Sequence, residues 1–235
     1  MKYKSDYQDF LKVLAILLMF IDHLGLYFFP EYELMRVVGR SAMPLFCFFA
    51  GYNFHSKPKT KILVAGVILY AFTTITLRHY TTPNILISIY LGQWYIYICH
   101  KHLKNFFYEG YCHVVFLGFI SSITLYLFEY GTLAIAIMLL GYIAKLDTVN
   151  SRLAILLSII LSLIHTLVIF DFSFLNICVL AVFSISVYMI VIAKNFEEKI
   201  TIKLRIITQY SLHIYVAHLS IIQFLFIYMA FTQIK

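Results

Sequence analysis

Residues Phe10 to Phe29 read FLKVLAILLMFIDHLGLYFF. Wound as a helix, an apolar run of this length is about as long as a bilayer's hydrocarbon core is thick. Inside it stands the pair Asp22-His23. A carboxylate near the middle of a membrane helix costs roughly 2.5–3.5 kcal/mol on insertion scales, so such a residue faces protein or a polar cavity and is a functional candidate by default. Two cations, Arg36 and Arg40, follow in the next apolar run.

The rest of the chain repeats this pattern. Hydrophobic residues make up 62% of it and charged residues 12%, the latter gathered in short clusters between long apolar stretches. A soluble domain this apolar would lack the polar surface to stay dispersed, so the expected class is an all-α, polytopic membrane bundle. Nine spans are expected, at about 10–29, 34–54, 61–80, 84–100, 113–130, 131–145, 153–170, 174–193 and 207–230. The fifth and sixth nearly touch, and read as a tight hairpin or a re-entrant element. These spans leave no room for an extramembrane domain, and one transmembrane domain over 1–235 is expected. The stretch 194–206, KNFEEKITIKLRI, mixes charge with apolar residues and reads as a cytoplasmic amphipathic helix. The first span is too long for a removable signal peptide, carries charge and lacks a small-x-small cleavage site.

Basic residues set the orientation. Lys2, Lys4 and Lys12 precede or open the first span, and Lys57, Lys59, Lys61, Lys101, Lys104, Lys145, Arg152, Lys194, Lys199, Lys203 and Arg205 fall in alternate loops. The other loops are acidic or bare, with Glu31, Glu33, Glu129 and Asp171; Arg78 and Lys235 are the exceptions there. The N-terminus is therefore expected in the cytoplasm and the C-terminus across the membrane. The formal charge of +7 follows from this bias and does not point to nucleic acid. Cys47, Cys99, Cys112 and Cys178 are scattered without metal-ligand spacing, so neither disulfide nor metal is expected.

Spans one and two are joined by a short turn around Pro30 to Glu33 and must be antiparallel neighbours. Counting back from the turn puts Asp22 level with about Arg40 and Tyr27 level with about Arg36. An Asp22–Arg40 ion pair could be a purely structural link. The alternative is a functional site, with His23 beside it for proton transfer and Asp22 positioning the arginines. Adjacent helical residues point about 100° apart, so Asp22 and His23 face different neighbours. His218, with Tyr215 and Ser211 three and seven residues before it on one face, is the best further candidate. Asn84 and Ser88 line the outer half of the fourth span, whereas His165 and Gln93 read as interhelical ties. Lys12 lies about 16 Å before His23 along the same helix, placed either to anchor topology or to meet a phosphate arriving from the cytoplasm. The absence of a visible internal repeat counts against a transporter built from inverted halves.

The segment Leu11 to Gly51 resembles the opening of the TraX family, named for the protein that acetylates F-type conjugative pilin. The resemblance rests on Ile21-Asp22-His23-Leu24-Gly25 and on Met35-Arg36-Val37-Val38-Gly39-Arg40 followed by Pro44 and Phe46. Asn84 to Gly92 is similar to a further family segment, with Ser88 where Thr is more usual. The ending Tyr210-Ser-Leu-His-Ile-Tyr-Val-Ala-His218 resembles the close of TraX and of the larger acyltransferase-3 group. That group carries Arg-x10-His on its first span; here the motif is Lys12-x10-His23, which keeps the charge but not the guanidinium fork. The resemblance implies a bacterial inner-membrane enzyme that moves an acetyl group from acetyl-CoA, with no metal, to the N-terminal amine of a small membrane-inserted pilin subunit. His23, Asp22, Arg36 and Arg40 would be catalytic, Lys12 would meet the donor, and Tyr215, His218, Ser211 and Asn84 would support substrate. Two other outcomes stay open: transfer to a glycan or glycolipid hydroxyl, and a non-enzymatic proton-coupled transporter or pilin-assembly factor.

Overall fold

The structure, a computed structural model, describes residues 7–77, 82–103, 106–124, 127–146, 151–169 and 204–232. Among these the secondary structure is helical throughout, with no strand. The elements are α1 (Tyr7–Tyr27), α2 (Glu33–Arg40), α3 (Ala42–Tyr52), α4 (Thr60–Leu77), α5 (Ile85–His102), α6 (Phe106–Phe119), α7 (Ser121–Thr124), α8 (Gly131–Leu146), α9 (Ser151–Ile169), α10 (Leu204–Gln209) and α11 (Ser211–Thr232). They fall into two compact units, one drawn from Met1–Leu45 and Thr166–Lys235, the other from Phe46–His165.

The first unit holds α1, α2, α10 and α11. Chain reversal between α1 and α2 is tight, with Phe28 N–H donating to the Leu24 carbonyl at 2.9 Å and Tyr32 N–H to the Phe29 carbonyl at 3.0 Å. Two glycines let the helices approach. A Cβ on Gly25 would come within 2.8 Å of the Met35 Cβ, and one on Gly39 would run into the backbone of Asp22. Small residues at such crossings are how membrane helices gain packing where burial from water contributes little.

α1 also packs along α10 and α11. Thr208 Oγ1 donates to Asp9 Oδ1 at 2.7 Å, His23 and His218 meet at 2.6 Å, and Gln223 Nε2 donates to Tyr27 Oη at 3.1 Å. Residue numbers rise together along both partners, so α1 and α11 run parallel.

In the second unit α8 is central, and every residue from Gly131 to Ala144 is buried. A helix apolar on all sides is expected in such a place. Consecutive Tyr130 and Gly131 with φ of 66° and 52° reverse the chain into it. Thr132 Oγ1 donates to the Leu117 carbonyl at 2.7 Å, and Gly110 faces the Ile143 side chain, so α6 and α8 are antiparallel. Ser88 Oγ bonds the Glu129 carbonyl at 3.1 Å and Tyr142 Oη meets His100 Nδ1 at 3.2 Å, so α5 runs parallel to α8. Asn84 Nδ2 donates to the Gly66 carbonyl at 2.9 Å, and Lys59 N–H to Gln93 Oε1 at 2.9 Å, which sets α4 antiparallel to α5. The crossing of α3 and α8 is glycine on both sides: a Cβ on Gly51 would strike the Met138 carbonyl, and one on Gly141 the backbone of Phe48.

Three described helices are long and apolar enough to cross a membrane: Gln8–Tyr27, Glu33–Tyr52 (α2 continued by α3) and Ser211–Met229. The chain is a helical membrane protein. α4, α5, α8 and α9 are helices within or overlapping the stretches 61–80, 84–100, 131–145 and 153–170, and those of α4, α8 and α9 are shorter apolar helices. The span expected at 113–130 needs correction. Its helix begins at Phe106, stops at Phe119 and is followed by the single turn of α7. Glu109 and His113, four residues apart, share a face within this helix. The fifth and sixth expected spans correspond to α6 and α8, which run antiparallel through the turn at Tyr130-Gly131. The span at 174–193, Arg78, Asp171, Cys178 and residues 194–203 of the amphipathic stretch lie outside the described residues; Leu204 to Ile206 open α10.

Candidate functional site

The site is built on α1, α2 and α11 of the first unit. Asp22 is buried, and Arg36 clasps it twice: Nη1 donates to Oδ1 at 2.8 Å and to the Asp22 carbonyl at 3.0 Å. Arg40 Nε lies 3.7 Å from the same Oδ1. Arg36, not Arg40, is thus the closer partner. Counting back from the turn was off by only one residue, because Gly39 packs on the Asp22 backbone. At that crossing Arg40 projects about 100° away from Gly39, while Arg36 stands one turn earlier, and its long side chain reaches the carboxylate. The Tyr27 hydroxyl accepts from Gln223 on α11.

His23 turns the other way, toward α11. Its Nδ1 is 2.6 Å from His218 Nε2, with ring centroids 4.9 Å apart and planes inclined by 20°. His218 is buried, and its Nδ1 is 3.1 Å from the Ile214 carbonyl. Phe20 packs on the His218 ring at 4.4 Å between centroids, and the buried Tyr215 stands edge-on to both imidazoles, 5.7 Å from His218 and 6.1 Å from His23. Asp22 and His23 are consecutive residues of α1, so the carboxylate with its two arginines adjoins the imidazole pair.

The remaining candidates separate. Ser211 is the first residue of α11, about 10 Å along the axis from His218. Lys12 lies 3.9 Å from the Asp9 carboxylate, which also accepts from Thr208. An incoming phosphate would share that lysine with Asp9, which weakens its fit to a donor's phosphate. Asn84 belongs to the second unit. There its side chain accepts from Leu86 N–H as the N-cap of α5 and donates to Gly66, so its amide ties helices. Gln93 does the same by accepting from Lys59. The side chain of His165 lies outside the described residues.

Sequence reasoning missed Gln223, Asp9 and Thr208. The Gln223 amide stands inside SIIQFLFIYM and is buried at 1% exposure; an amide in so apolar a run was the available signal. Asp9 and Thr208 carried no such signal, because each sits near a span end where polar residues are ordinary.

A buried carboxylate clamped by arginines, beside a paired imidazole and enclosed by apolar helices, defines a membrane protein with an intramembrane polar site. The family profile described as TraX protein matches residues 7–225, and the chain belongs to the TraX family. It is 46% identical over 233 residues, covering 96% of this chain and 94% of the relative, to the uncharacterized protein RP591 of Rickettsia prowazekii (strain Madrid E). A shorter similarity, 40% over 77 residues and covering 28% of this chain and 32% of the relative, is to the probable fimbrial assembly protein FimC, serogroup H1, of Dichelobacter nodosus. No solved structure matches.

Proposed function

We propose that this chain is a multi-pass protein of the bacterial inner membrane that transfers an acetyl group from cytoplasmic acetyl-CoA to the N-terminal amine of a membrane-inserted pilin-type subunit. The observation that carries the reading is that the His23–His218 imidazole pair adjoins a carboxylate held by both Arg36 and Arg40, where a simple interhelical tie needs only the Asp22–Arg36 pair. Membership of the TraX family supports the acetyl donor and the pilin acceptor. The parallel course of α1 and α11 supports an odd number of crossings from the first to the last of them, as nine spans with a cytoplasmic N-terminus require.

In the proposed reaction the acceptor amine attacks the thioester carbonyl and His23 takes the amine's proton. The oxyanion that forms is stabilised by the guanidinium of Arg36 or Arg40, in surroundings where a fixed charge acts more strongly than in water. Asp22 holds Arg36 in place and lowers the cost of keeping two cations in an apolar setting. Collapse of the tetrahedral intermediate breaks the carbon–sulfur bond, and the departing thiolate recovers the proton from His23. The products are the acetylated amine and free CoA.

A second reading, a pilus-assembly factor without catalysis, is favoured by one observation: the name of the Dichelobacter relative is that of a fimbrial assembly protein. Purified protein in lipid nanodiscs, given acetyl-CoA and a synthetic membrane peptide with a free N-terminal amine, separates the two. An acetyltransferase releases CoA thiol and adds one acetyl group to the peptide by mass spectrometry, whereas an assembly factor does neither. Thiol release with acetylation of a glycolipid in place of the peptide would move the acceptor to a hydroxyl.

A further inference from the structure

We propose that His218 is a positioning residue that fixes the tautomer of His23 and leaves His23 Nε2 as the proton-accepting nitrogen. The inference rests on the reading of His23 as the base and adds which atom acts and what sets it. The chain of hydrogen bonds has a defined end. The Ile214 carbonyl can only accept, so the His218 Nδ1 facing it at 3.1 Å carries the hydrogen. In a neutral His218 the other nitrogen, Nε2, then holds a lone pair. That lone pair faces His23 Nδ1 at 2.6 Å, so His23 Nδ1 is the donor. A neutral His23 with its hydrogen on Nδ1 presents the lone pair of Nε2. This is the opposite of the tautomer that a free histidine side chain favours, so it is the fold that selects it.

The packing serves the same end. Phe20 lies against the His218 ring, and Tyr215 stands edge-on to both imidazoles. Rotation of either ring would break the 2.6 Å contact inside an apolar wall, where nothing replaces a lost hydrogen bond at low cost. When His23 Nε2 takes a proton, the Nδ1–H bond to His218 becomes charge-assisted and stabilises the imidazolium at the moment it forms. His218 touches neither reacting atom in this scheme and acts through His23, as the groups that orient catalytic and metal-bound histidines do.

The test is nitrogen NMR on the full-length protein in nanodiscs with 15N-labelled histidine, the His23 signals being assigned by their loss in His23→Asn. The expected spectrum shows a protonated Nδ1 and an unprotonated Nε2 on His23. His218→Ala should shift His23 toward the opposite tautomer and lower the acetyl-transfer kcat roughly 100-fold with little change in KM. His218→Gln, whose amide oxygen can accept where Nε2 did, should restore the wild-type tautomer and most of the rate. A wild-type His23 protonated on Nε2 would overturn the proposal. So would a tautomer unchanged in a folded His218→Ala, or equal loss of rate in the alanine and glutamine variants with both tautomers intact. A wild-type protein that transfers no acetyl group yet carries its hydrogen on Nδ1 would overturn the acetyltransferase reading and still support the tautomer assignment.

Discussion

Removal of the Asp22 carboxylate should weaken the first unit more than any other single charge deletion there. Asp22 (−1), Arg36 (+1) and Arg40 (+1) together carry a formal +1, and Asp22→Ala raises it to +2 at one helix crossing. Breaking a buried pair by deleting one partner costs about 3–5 kcal/mol. The side chains of Arg36 and Arg40 keep 16% and 22% exposure, against 9% for Asp22, so the guanidinium groups retain some hydration. The low end, about 3 kcal/mol, is therefore expected for Asp22→Ala. Asp22→Asn keeps an oxygen for Arg36 Nη1 and the backbone carbonyl contact at 3.0 Å, and should cost about half as much, roughly 1.5 kcal/mol, as for a hydrogen bond to a charged group. The assay is reversible unfolding of the purified full chain in mixed micelles with rising denaturing detergent. An Asp22→Ala variant within about 0.5 kcal/mol of wild type, the range of an uninvolved surface residue, would mean that the carboxylate does not hold this crossing together. An asparagine variant weaker than the alanine variant would mean the same.

Glycine contacts lead to two further predictions. Gly39→Ala drives a Cβ into the Asp22 backbone, so the helices must part; a loss of about 1–3 kcal/mol is expected in the same unfolding assay, together with loss of acetyl transfer. In the second unit Gly141→Ala meets the carbonyl of Phe48, whereas Gly92→Ala meets the flexible thioether of Met138. The first should lower the thermal midpoint clearly and the second hardly at all, because a methionine can change rotamer and a helix backbone cannot. Equal midpoints for the two variants would show that this crossing is looser than described.

Much of this arrangement was legible from residue pattern alone, and the exceptions have physical causes. The short turn at Pro30 to Glu33 made α1 and α2 neighbours, and an intramembrane Asp had to find a cation, so the Asp22–arginine cluster could be expected. Which arginine comes closest could not, since it depends on Gly39 seating itself against Asp22 and on the reach of the Arg36 side chain. His218 was visible as a polar residue at depth in the last span. Its partner was not, because His23 lies 195 residues away and no local periodicity encodes so distant a meeting. Asn84 illustrates the converse. A polar residue opening an apolar run looks like a site residue, but the same amide suits an N-cap, which is the work it does for α5. The early start of α6 was hidden because Glu109 interrupts the apolar run before residue 113, whereas in the structure it lies within the helix.

The most direct measurement is acetyl transfer to the free N-terminal amine of a membrane peptide by wild-type protein and by His23→Ala, in the same nanodiscs and followed by mass spectrometry. The expected result is an acetylated peptide with the wild-type protein and a rate lower by roughly 10²–10⁴-fold with the folded variant. Acetylation at the wild-type rate by His23→Ala would contradict the assignment of the imidazole as the base, and no acetylation of any acceptor by the wild-type protein would contradict the enzyme itself.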